Sequence, residues 1–173
     1  MASPLADLFR HATPRALLAL IVAAVVLAMA GGLFFQHVLH LEPCPLCVLQ
    51  RVAIISVGIF AALGLLAGGA RLQFLAAASA GVCAFVGAGI AGWHSWIVRF
   101  PPESMSCGRP FEWFHEEFPL ATWLPRLFAG EGDCLKVEWT LLGLTIPDLS
   151  LVAFLLLLAL AVMAMRAAWQ RRR

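Results

Sequence analysis

The chain has 173 residues, 62% of them hydrophobic and 13% charged, with a mean hydropathy of +0.89 and a formal net charge of +2. That apolar fraction exceeds the roughly half expected of soluble domains and marks an integral membrane protein. The basic residues gather at the termini instead of along an aromatic-interleaved surface, which excludes a nucleic-acid partner, and there is no phosphate-cradling glycine loop, internal repeat or low-complexity tract.

The first 15 residues carry Arg10, His11 and Arg15, and Ala16 to Phe35 then runs without a charge, long enough to cross a hydrocarbon core of roughly 30 Å. Ala28-Met-Ala30 resembles a signal-peptidase site, so a cleaved leader competes with a first span. The apolar run continues past it through Leu33-Phe34-Phe35, which favours the span, and cleavage would leave every cysteine in place.

A short polar link, Gln36 to Pro43, leads to Cys44-Pro-Leu-Cys47-Val-Leu-Gln-Arg51 at the head of a second span, about 44–66. Pro45 lacks an N–H and its fixed φ suits a first helical position, so Cys44 is expected at the N-cap and Cys47 at the third position. Both sulfurs then sit at the positive end of a helix, where thiolates are stabilised and Cys-x-x-Cys thiols commonly have depressed pKa values. Cys44, Cys47 and Arg51 fall at i, i+3 and i+7, on one stripe, with the cation one turn beyond the second sulfur. The pair reads as a redox site. Half of a zinc site is the other reading, but no second Cys-x-x-Cys or His-x3-5-His completes four ligands, and no metal is assigned. Arg51 serves either that site or as a cation snorkelling to the interface.

Gly68-Gly69 marks a tight turn into a third span, about 72–91, rich in Ala and Gly, which permits close helix packing. Trp93 and Trp96 at its end suit an interfacial belt. Cys83, in mid-span, reads as a small packing residue. From about 93 to 145 the composition turns to prolines, acidic residues and two further cysteines, Cys107 and Cys134, forming one large extramembrane loop whose aromatic and charged stretches suit a bilayer surface. The fourth span, about 146–165, opens on Pro147 and Asp148, which suit a helix N-terminus. Residues 1–173 are thus one integral membrane domain.

Arg10, Arg15, Arg71, Arg166 and the terminal arginines fall on one side, and Glu42 with the acidic loop on the other. The positive-inside rule therefore puts both termini in the cytoplasm and both cysteine pairs on the oxidising side, the periplasm of a bacterium. The expected fold is an all-α membrane protein, a bundle of four transmembrane helices with a long periplasmic loop between helices 3 and 4.

Four cysteines outside mid-span allow three pairings, and adjacency favours Cys44 with Cys47. A bond between Cys107 and Cys134 would close a loop of nearly thirty residues and stabilise it by roughly 3–4 kcal/mol, a purely structural role. Two pairs within reach of one another would instead form a relay by thiol–disulfide exchange.

In these features the chain resembles the bacterial disulfide-bond formation protein B (DsbB) family. The resemblance covers nearly the whole chain: four spans, Phe35-Gln-His37 before Pro43-Cys44-x-x-Cys47, Arg51 after it, and Gly132-Asp-Cys134 followed by Trp139 and Leu142-Gly-Leu144. It implies an inner-membrane, multi-pass dithiol:quinone oxidoreductase. A periplasmic DsbA-like thiol oxidase would attack Cys107, and electrons would pass from Cys107–Cys134 to Cys44–Cys47. A membrane quinone, ubiquinone or menaquinone, would take them beside Cys47. Arg51 matches the family's quinone-associated arginine, and His94 looks like its quinone-proximal histidine. Gln50 departs from the glutamate some members carry before the arginine, and Pro45-Leu46 from other members' dipeptides. Competing readings are a membrane metal-binding or transport protein with Cys/His ligands, a protein merely stapled by disulfides, and an enzyme resembling vitamin K epoxide reductase. The absence of an intramembrane acidic residue or ligand cluster counts against ion transport.

Overall fold

The computed structural model describes residues 13–101, 132–137 and 139–172. Cys107, with Arg10 and most of the long loop, lies outside the described residues. Four long helices dominate: α1 (Pro14–His37), α2 (Pro45–Leu66), α3 (Ala70–Arg99) and α4 (Ile146–Gln170). Each is long and apolar enough to cross a membrane.

Local chemistry sets where these helices begin. The Thr13 hydroxyl accepts from the Ala16 N–H at 3.2 Å, with Pro14 behind it, and so caps α1. Gly69 opens α3 directly after the turn from α2. At the head of α4 the Asp148 carboxylate reaches back to accept from the Thr145 N–H at 2.9 Å and from its hydroxyl at 2.8 Å. That satisfies a donor the helix start would otherwise leave bare.

The bundle is held by small residues meeting large ones. α3 packs most extensively on α4 and next on α2, while α1 lies against α2 and α4. Ala77, Ala80, Ala84 and Ala91 of α3 are fully buried in one core with Phe154, Leu157 and Ala161 of α4, and Gly81 lies beside Ala161, so the two backbones approach closely. Gly87 has no room for a side chain: a Cβ there would run into the ring of Phe154. Cys83 is partly buried against this core, as a packing residue would be. Large apolar side chains such as Leu27, Leu66, Phe85 and Leu156 point outward, the arrangement a lipid-facing surface requires.

Two features depart from the sequence reading. The helix of the third span continues through Trp93–Arg99, residues assigned above to the start of the loop, and this carries His94 and Ser95 onto α3. A two-stranded antiparallel ribbon, β1 (Thr140–Leu141) and β2 (Leu144–Thr145), also precedes α4. Its turn, Leu142-Gly143, has positive φ at both residues (52° and 80°), the conformation of a tight two-residue hairpin.

The two ends of the bundle differ in chemistry. At one, an Arg15 guanidinium N–H donates to the Ala67 carbonyl, and Arg172 donates to the Arg71 carbonyl while stacking over Phe74. At the other lie Cys44, Cys47, Cys134, His94 and Asp148. Arg99 is a cation at this second end, and it is ion-paired with Asp148 at 2.9 Å.

Candidate active site

Cys44 occupies the N-cap of α2, and its Sγ accepts from the Cys47 N–H at 3.3 Å, as the proline-led turn dictates. The two sulfurs are 2.9 Å apart and unbonded. The sulfur of Cys134 is brought against Cys44 from the other side of the chain, forming a hydrogen bond to it, and Ile97 closes over both. Three of the four expected redox sulfurs are therefore in one place, and Cys44 is the middle one. Its hydrogen bonds to Cys134 and then Cys47, followed by burial, push its thiol well above the ordinary range. The helix N-terminus, which favours a thiolate, competes at Cys44 with two adjoining sulfurs and loss of water.

The approach of Cys134 has a backbone cause. The Gly132 N–H donates to the Pro43 carbonyl at 3.1 Å, and a Cβ at 132 would collide with the Glu42 carbonyl. Only glycine lets the two segments lie this close.

His94, buried in the upper turn of α3, organises the polar side of the site. Its Nε2 is 3.2 Å from the Cys134 carbonyl oxygen and 3.7 Å from Cys44 Sγ, and its Nδ1 is 3.2 Å from Gln50 Nε2. A carbonyl can only accept, so Nε2 carries the proton, and the Gln50 amide donates to Nδ1 of a neutral ring. The Nε2 edge of the imidazole is thus fixed on Cys134 and Cys44. Gln50 lies one turn past Cys47 and was read only as a departure from a pattern; its bond to His94 is a contact that spacing along one helix cannot show.

Arg51 lies on the same helix, and its Nη1 donates to Gln36 Oε1 of α1 at 2.7 Å. It shares the wall of one cavity with Cys44, Cys47, Gln50 and His94, while Met29, Phe35, Ile54 and Phe154 supply its apolar sides. The ring of Phe35 packs on Trp139, 4.7 Å between centroids, which ties α1 to the segment after Cys134. Beneath His94, the Ser95 hydroxyl bonds the Asp148 carboxylate and Arg99 Nη1 at 2.8 Å. Asp148 thereby fastens the histidine's helix to the head of α4, a role its place at a helix start did not reveal.

A dithiol capping a membrane helix, with a third sulfur held against it from an adjoining segment, defines an integral membrane protein of thiol–disulfide chemistry. Residues 14–164 match the sequence model of the family described as "Disulfide bond formation protein DsbB", and the chain belongs to that family. It is similar to the disulfide bond formation protein B of Paracidovorax citrulli, 43% identical over 90% of each chain. The protein of that name from Verminephrobacter eiseniae is 42% identical over 92% of each, and that from Acinetobacter baumannii 38% identical over 80% of this chain and 83% of its own. The chain is accordingly a four-helix membrane protein of disulfide-bond formation.

Proposed function

We propose that this protein is a dithiol:quinone oxidoreductase of the bacterial inner membrane that reoxidises a periplasmic DsbA-like thiol oxidase. The observation that carries the reading is the contact of Cys134 with Cys44 while Cys44 touches Cys47, at the wall of a cavity shared with Arg51 and His94. Such an order of sulfurs suits exchange in which Cys44 attacks or leaves Cys134 and Cys47 is left as the terminal thiol.

The partner's thiolate attacks a Cys107–Cys134 disulfide at Cys107, Cys134 leaves, and the released Cys134 thiolate attacks Cys44, freeing Cys47. The partner's second thiol then displaces Cys107 to leave the partner oxidised, and Cys107 attacks Cys134 to re-form their bond and free Cys44, so that Cys44 and Cys47 end as the dithiol. The path ends on Cys47, with Arg51 positioned to balance a negative charge there. His94, fixed as an Nε2–H donor beside Cys44, holds a proton where a sulfur becomes anionic. The cavity fits a quinone, since its sides are apolar and its polar groups sit at the cysteine end; Arg51, Gln50 and His94 would hold the head group. When bound, a quinone supplies the acceptor for the two electrons and two protons a dithiol releases. Both termini are cytoplasmic in this reading and both cysteine pairs periplasmic, supported by Arg15, Arg71, Arg166 and Arg172 at one end and Cys44, Cys47 and Cys134 at the other.

The test is oxidation of a reduced DsbA-like partner by purified protein across a quinone titration. Turnover should require quinone and vanish in Cys44→Ser and Cys47→Ser; quinone-independent turnover, or none with any quinone, would overturn the proposal.

A further inference from the structure

The ligand atoms of Cys44, Cys47 and His94 all lie within 4.8 Å of one another, on buried or half-buried side chains. Two spans contribute: the sulfurs come from the head of α2 and the imidazole from α3. A tetrahedral zinc ion with bonds of about 2.3 Å to sulfur and 2.0–2.1 Å to nitrogen holds its ligand atoms about 3.5–3.8 Å apart. Here Cys44 Sγ is 3.7 Å from His94 Nε2 and 2.9 Å from Cys47 Sγ. Opening the two sulfurs by less than about 1 Å brings that pair to the required spacing, and Cys47 Sγ lies within 4.8 Å of the imidazole nitrogen.

We infer that the reduced form of this site binds a thiophilic divalent cation, Zn2+ or Cd2+, through Cys44 Sγ, Cys47 Sγ and His94 Nε2. The dithiol releases two protons as the two metal–sulfur bonds form, and no electron is transferred. A disulfide between Cys44 and Cys47 removes both sulfur ligands, so binding is gated by oxidation state. Nε2 must give up its hydrogen bond to the Cys134 carbonyl and lose its proton, which moves the ring proton to Nδ1. Gln50 accommodates this by turning its amide so that its oxygen accepts from Nδ1–H, the outer-sphere contact that ligating histidines use. Cys134 is outside the three-atom group, although its thiol hydrogen-bonds Cys44.

Binding stands apart from the quinone reading. Its consequence rests on that reading: a bound cation blocks the sulfurs from exchange and acts as a reversible brake on the reduced enzyme.

The experiment uses the full-length protein in detergent, reduced and then oxidised, titrated with Cd2+ and with Co2+ and without quinone or partner. The reduced protein should bind one equivalent, with sulfur-to-metal charge-transfer absorption and release of two protons per metal. Cys134→Ser should keep that stoichiometry. Cys47→Ser should weaken binding at least a hundredfold, and His94→Asn by about tenfold to a hundredfold. Gln50→Glu, which gives Nδ1–H a carboxylate acceptor, should tighten it by about tenfold. The proposal is overturned by a reduced protein with no charge-transfer band, by equal binding to the oxidised protein, or by full binding in Cys47→Ser. Equal binding to the oxidised protein would assign the metal to histidines outside the site, such as His37 or His40, and full binding in Cys47→Ser would put Cys134 in the place of Cys47.

Discussion

The Gly132 N–H donates to the Pro43 carbonyl across 3.1 Å, so the segment bearing Cys134 is pinned to the residue just before Cys44. A methyl at position 132 would meet the Glu42 carbonyl, which is backbone and cannot swing away. Gly132→Ala should therefore separate Cys134 from Cys44 and slow exchange between the two pairs by at least tenfold. Rapid alkylation quenching of single-turnover reactions, with the disulfides mapped at each time, measures that step; a wild-type rate would remove the glycine from the argument.

Partner attack is expected at Cys107, which lies in Ser104-Met-Ser-Cys-Gly108, since Cys134 is buried against Cys44. A partner lacking its resolving cysteine should become trapped on Cys107. Mass-spectrometric mapping of the mixed disulfide mainly to Cys134 would reverse the order of the relay.

Asp148 joins Ser95 and Arg99 of α3 to Thr145, the N-cap of its own helix. Arg99 is half exposed, so the ion pair itself counts for little. The hydrogen bonds to a buried carboxylate count for more, and Asp148→Ala should destabilise the bundle by about 1.5–3 kcal/mol. Ser95→Ala should cost less when combined with it than alone, because the two changes remove the same contact. SDS-induced unfolding followed by circular dichroism gives both values, and strict additivity would show that the contact is energetically silent.

Gly87 is a sharper packing test. Adding one methyl forces the buried Phe154 ring off its place between α3 and α4, and overpacking of this kind costs about 1–3 kcal/mol. Phe154→Leu in the same chain should recover part of the loss by making room. If Gly87→Ala alone leaves the unfolding midpoint unchanged, the close approach of the two helices is not as described.

The readability of the sequence follows the range of the interactions. Hydropathy gave four spans, and Pro45 gave Cys44 its N-cap and Cys47 its third position, because those features depend on neighbours a few residues apart. The extension of α3 through Arg99 was missed because its tryptophans and Arg99 read as an interface, while the buried faces of His94 and Ser95 depend on α4 and on the Cys134 segment. Gln50, Gly132 and Asp148 carry contacts 44, 89 and 53 residues away in sequence. No local periodicity encodes these. Arg51 lies between the two cases: its stripe with Cys47 was evident, its anchor on Gln36 was not.

That anchor refines what Arg51 should do. Its Nη1 donates to Gln36 Oε1 at 2.7 Å, so the guanidinium is held across α1 and α2 at the cavity wall instead of reaching outward to the bilayer surface. A hydrogen bond to a charged group is worth about 1.5–3 kcal/mol, and every 1.4 kcal/mol is tenfold. Arg51→Leu should thus weaken quinone use by roughly tenfold to a hundredfold. Arg51→Lys keeps the charge but loses the planar fork, and should fall between the two. Gln36→Leu keeps the cation while removing its anchor, so it should raise the apparent KM for quinone with less effect on the maximal rate. The measurement is quinone-dependent reoxidation of reduced partner, with folded protein quantified separately by its unfolding transition. A snorkelling arginine predicts the opposite pattern: Arg51→Leu would lower the yield of folded protein and leave the quinone dependence of the folded fraction unchanged, and that outcome would end the case for Arg51 at the acceptor site.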